Sequence, residues 1–104
     1  MFSVHIIELS HSPGDDEDRT SLAFHGFETA QQAQEFARRW LRDSLEELRR
    51  PHQSAAALRQ AFFLFGESAD VPEIGYSAIS ELDAFIQHPA TPDERNWKAL
   101  RPPQ

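Results

Sequence analysis

Residues 29–51, Thr-Ala-Gln-Gln-Ala-Gln-Glu-Phe-Ala-Arg-Arg-Trp-Leu-Arg-Asp-Ser-Leu-Glu-Glu-Leu-Arg-Arg-Pro, decide how the rest of the chain is read. Thr29 and Gln32 have the spacing of a capping box, in which the hydroxyl accepts one orphan backbone N–H and the amide reaches back to another. Ala30, Ala33, Phe36, Ala37, Trp40, Leu41, Leu45 and Leu48 then recur at the interval of a single helix face. Glu35–Arg39 and Glu46–Arg50 stand four apart with the acid first, the favourable order for an ion pair. Arg49 and Arg50 complement the negative helix end, and Pro51 cannot continue it. The pattern predicts an amphipathic helix over 29–50 that must lie on an apolar surface.

That surface is expected from the residues before it. Residues 2–9, Phe-Ser-Val-His-Ile-Ile-Glu-Leu, alternate in a β-rich composition, and 21–27, Ser-Leu-Ala-Phe-His-Gly-Phe, return after a loop rich in Pro, Gly and acids. The simplest connection is an antiparallel hairpin. If Val4, Ile6, Leu22 and Phe24 all face the core, register parity puts His5 and His25 together on the opposite face. A loop centred near Asp15 sets the two histidines directly across from one another.

Downstream, Ser54 to Gly66 reads as a helix over about 54–65. Ser54 is its cap, Leu58, Ala61, Phe62 and Phe65 its buried stripe, and Gly66 a left-handed stop. The run Ala61–Phe65 also fits a strand buried on both faces, and periodicity alone does not separate the two. Residues 67–77 read as a loop with a short strand near 74–76. Ile79, Leu82, Phe85 and Ile86 predict a helix over 78–87, capped by Ser77. Thr91-Pro92-Asp93-Glu94 starts a short helical turn over 92–100 that carries Trp97 and Leu100. The expected fold class is α+β: a hairpin on a long helix with smaller helices after it. A two-stranded sheet is marginal alone, so a further strand or a sheet shared between two chains is expected. Residues 1–104 read as a single domain, with 91–104 as a docked C-terminal tail.

Composition narrows the function classes. The chain has 104 residues, a formal net charge of −7 and no cysteine. A disulfide framework, a thiolate metal site and a cysteine nucleophile are thereby excluded. Cations are not clustered enough for non-specific nucleic-acid binding, and no apolar run is long enough to span a bilayer. The first residues lack the pattern of a secretory signal, so a cytoplasmic location is the expectation. The excess of Arg over Lys suggests a GC-rich bacterial genome. There is no G-x-S-x-G elbow, H-E-x-x-H pair, phosphate loop or dinucleotide fingerprint, and no cofactor is expected.

The candidate residues are therefore few. His5 and His25 could hold a metal or exchange protons, but a metal needs a third ligand and none is evident in the pattern. Asp15, Asp16, Glu17 and Asp18 lack the spacing of a calcium loop and read as a solvated hairpin tip. The same run could dock on a basic partner, as in an acidic inhibitor or immunity-type protein. Trp97 is either an anchor for the tail or a hot spot for a protein partner. The leading expectation is a non-enzymatic accessory or protein-interaction domain acting on a partner or on itself as a homodimer. The alternatives are a small enzyme or ligand-binding domain on the His5/His25 face, and the acidic inhibitor.

Overall fold

The computed structural model describes residues 1–9 and 20–102, with the side chains of Thr20 and Ser21 left aside. The long helix, α1 (Ala30–Leu48), begins as its sequence dictates. Thr29 Oγ1 accepts the Gln32 N–H at 3.0 Å, and Gln32 Oε1 accepts the Thr29 N–H at 3.2 Å. Ala33, Phe36, Ala37, Leu41 and Leu45 form its buried stripe. Glu35 pairs with Arg39 as expected, at 3.2 Å. Glu46 pairs with Arg49 instead of Arg50, at 2.7 Å, which leaves Arg50 to cap the helix through the Glu47 carbonyl.

The sheet beneath α1 has four antiparallel strands in the order β2-β1-β3-β4: β1 (Phe2–Glu8), β2 (Thr20–Phe27), β3 (Glu67–Val71) and β4 (Tyr76–Ser77). The hairpin is present with Val4 opposite Phe24 and Ile6 opposite Leu22. His5 lies opposite Ala23, two positions from the expected partner, so the histidines are diagonal neighbours on one face with ring centroids 6.5 Å apart. Gly26, at φ +95°, lies where the pairing slips between Val4 and Phe2, and the slip returns Phe27 to the core. Leu22 was expected in that core and is 47% exposed. It sits on the edge strand, whereas α1 packs mainly across β1 and β3.

Residues 67–77 hold the short strand expected near 74–76, as β4, but the stretch before it is not the expected loop. Glu67–Val71 forms β3, a 3-10 turn covers Pro72–Ile74, and β4 follows. Only Val71 of the five β3 residues is a strong strand former. The strand exists because the free edge of β1 needs a partner, and tertiary pairing outweighs local preference. The sheet is thus completed within one chain.

The ambiguous run is helical: α2 spans Ala55–Phe65, with Ser54 Oγ accepting the Ala57 N–H at 3.1 Å. Gly66 ends it in an extended conformation and not a left-handed one. Glycine is required there by space, since a Cβ would lie 2.5 Å from the Phe62 ring. Between the two helices Pro51-His52 makes the turn, with His52 at φ +61°. The 78–87 helix opens as a 3-10 turn (Ala78–Glu81) and becomes α3 at Leu82–Gln87. Ser77 makes no capping bond with its side chain. The expected turn over 92–100 is two 3-10 turns, Asp93–Arg95 and Trp97–Leu100, separated by Asn96. Among the described residues no helix is long and apolar enough to cross a membrane.

Candidate functional site

Two outward surfaces carry side chains that invite a functional reading. The first is on α2. One helical turn takes 3.6 residues, so Phe62, Phe63, Leu64 and Phe65 point in four directions around the axis. Only Leu58 and Phe62 are buried. Phe63 is 38% exposed, Leu64 51% and Phe65 70%, against the expectation that Phe65 belongs to the buried stripe. Ala56, Ala57 and Gln60 lie on the same exposed side as Phe63 and Leu64, whereas Phe65 lies roughly 140° round the axis from Gln60, at the helix end. Arg59 is the one charged residue of the helix; it sits over the Phe63 ring at 4.9 Å and pairs with the exposed Asp83 of α3 at 3.2 Å. A face of this kind, apolar with a thin polar rim, is the usual mark of a contact surface.

The second surface is the sheet face turned away from α1. Pro72 has no N–H and ends the β1–β3 ladder. Glu73 takes over: its carboxylate accepts the Ser3 backbone N–H at 3.0 Å and the Ser3 hydroxyl at 2.7 Å. These two bonds hold the Glu73 carboxyl down at about 2. His5 Nε2 lies 3.5 Å from the Ser3 hydroxyl oxygen, and Asp70 sits across from His5 on β3. A shallow cleft of about 410 Å³ opens beside them, lined by His5, Ile7, Asp70, Tyr76 and others.

Serine, histidine and a carboxylate in contact invite comparison with a hydrolase triad, but the bonds run in the wrong sequence. In a triad the serine gives its proton to histidine and the carboxylate holds the far side of the ring. Here the serine hydroxyl donates its hydrogen bond to the carboxylate directly, and a carboxyl held at about 2 is too weak a base to remove the proton. The group works as a strand-end cap, satisfying the Ser3 backbone N–H beyond the last β1–β3 pair.

No protein-family model, curated protein or solved structure matches this chain. The site is therefore read from its own chemistry.

Of the residues singled out in the sequence, His5 and His25 share a face but find no third ligand: among the described residues no three metal-binding side chains converge. Asp15, Asp16, Glu17 and Asp18 lie outside the described residues, as does His11. Trp97 packs on its own chain, with its ring centroid 4.3 Å from Trp40 and 5.9 Å from Phe36. Its indole N–H donates to Asp43 Oδ2 at 3.1 Å, and Arg95 binds the other oxygen of that carboxylate at 2.8 Å. The indole is thus engaged on both its apolar body and its polar tip.

The Phe63–Phe65 surface and the Ser3–Glu73 cap were missed in the sequence. The first had a signal: a helix with four consecutive large apolar residues cannot bury all of them on one core. The second had none, because Ser3 and Glu73 lie seventy positions apart.

Proposed function

We propose that this protein is a non-enzymatic protein-interaction domain whose contact surface is the outer face of α2. The observation that carries the reading is the exposure of Phe63 and Leu64, on one side with Ala56, Ala57 and Gln60, on a helix with one charged residue. Exposed apolar side chains in a row are costly to leave in water, and a partner that covers them recovers that cost. The reading is supported from the other side by the Ser3–Glu73–His5 group, whose bonding is that of a structural cap.

The reading is tested in cells that produce the full chain, with a benzophenone amino acid replacing Gln60 at the centre of the face. Irradiation is expected to give one discrete protein adduct, while the same group at the exposed Gln31 of α1 gives none. Absence of an adduct at position 60, or an identical smear from both positions, overturns the proposal.

A further inference from the structure

Resting on that surface, we infer that its occupant is a second copy of this chain, bound through an antiparallel, two-fold pairing of α2 with α2. The inference comes from the order of side chains along the exposed face. Ala56 and Ala57 stand four and three residues before Gln60, and Phe63 and Leu64 stand three and four residues after it. The small side chains are at one end and the large at the other, with Gln60 as the midpoint.

A two-fold contact requires that residue i meet residue j and that j meet i. With the axis through Gln60, Leu64 of one chain falls on Ala56 of the other, and Phe63 falls on Ala57. Each bulky group then meets a position where the opposing backbone can approach closely, as helix packing of ridges into grooves needs. At the axis two Gln60 amides face each other. Each carries a donor and an acceptor, so a pair can bond reciprocally and leave neither desolvated without a partner.

Charge favours a copy for the same reason. The chain carries −7 overall, so two copies repel one another through their net charge. The face of α2 carries no acid. A two-fold contact there joins the two neutral surfaces and leaves Arg59 and Asp83 at the rim. A strongly basic or acidic partner would find nothing complementary on it.

The size of the face sets the strength. A helix of 11 residues is about 16 Å long, so the pair buries less than the roughly 1,200 Å² of a standard interface. The dimer is therefore reversible, with a dissociation constant in the micromolar range or weaker.

Sedimentation of the purified full chain between about 1 µM and 1 mM is expected to show a reversible monomer–dimer equilibrium. Because the chain has no cysteine, Gln60→Cys introduces a single thiol on the axis. Mild oxidation or a short bismaleimide should link it into dimers at least about tenfold faster than Gln31→Cys, through its high effective concentration. Ala57→Phe adds apolar surface yet should weaken the dimer at least about tenfold by setting Phe against Phe, and Phe63→Ala should weaken it too. The double variant Ala57→Phe/Phe63→Ala restores large against small and should recover association, with thermal melts confirming that each variant folds.

A chain that stays monomeric to millimolar concentration overturns the inference. So does an Ala57→Phe variant that associates more strongly, which would mean unspecific adhesion. If the Gln60 photo-adduct contains a different protein, the second-copy inference falls while the contact-surface reading stands. If no adduct forms at all, both fall.

Discussion

Helices α1 and α2 cover the same core, yet their outer sides have exchanged the roles that composition assigns them. The outer side of α1 is rich in arginine and acid and would ordinarily face water. In the fold it is largely occupied by the C-terminal residues. Arg49 donates to the carbonyls of Phe85 and Ile86 at 3.1 Å, closing the end of α3, and Arg42 donates to His88 at 2.7 Å. Asp43 holds Arg95 and Trp97, and Glu46 accepts the Ala90 N–H at 3.2 Å. Arg38 and the Tyr76 hydroxyl both bind Glu81, and those bonds keep the Glu81 carboxyl below its usual range against the opposing effect of burial. The outer side of α2 is apolar and stays open. The lesson is that charge does not identify a free surface: here the polar side is used up by hydrogen bonds within the chain, and the apolar side is what remains to be covered.

The contrast breaks most sharply inside α2 itself. Phe62→Ala should destabilise the chain by about 3–5 kcal/mol, because Phe62 is fully buried and its removal leaves a cavity. Leu64→Ala, two residues on and on the open side, should stay within about 0.5 kcal/mol of the parent. Denaturant melts decide it: similar losses for both would mean that the α2 face is already covered within the chain.

A smaller effect separates the two kinds of ion pair. Asp43→Ala strands the Arg95 guanidinium and the Trp97 N–H together and should cost about 1–2 kcal/mol. Asp83→Ala removes the exposed partner of Arg59 on the rim of α2 and should cost less than about 0.5 kcal/mol. Trp97 emission should shift to the red in the first variant, with Trp40→Phe isolating the signal, and not in the second. Equal stability losses would erase the distinction between the covered side of α1 and the open side of α2.

The smallest effect lies at Glu67, where the apolar surface gives way to β3. Burial, and then Glu8 directly across the strand pair, raise its carboxyl above the usual range. A carboxyl raised in the fold disfavours its own charged form. The penalty is absent below the ordinary carboxylate range, sets in as pH rises through it, and is complete at neutral pH. Glu67→Gln should therefore stabilise by a few tenths of a kcal/mol at pH 7, the scale of opposed like charges on neighbouring strands, and do nothing near pH 3. A gain of the same size at both values would point to the amide's packing and not to charge.

The parts of the fold legible in the sequence are those written in local periodicity. Thr29 and Gln32, the Phe36–Leu45 stripe, and the alternation around Val4 and Phe24 each encode their structure within a few residues. The β3 strand was not legible, because Glu-Ser-Ala-Asp-Val carries little intrinsic preference and becomes a strand only beside β1. The exact register was lost for a related reason: alternation fixes which face a residue takes but not its partner, so His5 meets Ala23, two positions from His25. The C-terminal clamp was equally hidden, since Arg42, Asp43 and Glu46 read as solvated helix charges until the chain brings carbonyls to them. For the candidate surface the composition of α2 was visible, but which of its apolar residues faced outward depended on where the core lay.

The strand order has a consequence in time. β1 lies between β2, which follows it closely, and β3, which pairs with it only after a loop of roughly sixty residues closes. A nascent chain can zip the hairpin early and wind α1 onto it, but the other edge of β1 stays bare until β3 has been synthesised. At about 5–20 residues per second that interval lasts seconds, long compared with hairpin formation. During it, Val4 and Ile6 border an unpaired edge, the geometry on which strands from other chains can add. The step that retires this hazard is the docking of β3, a short segment with one strong strand former, so a piece made late governs how safely the first piece folds.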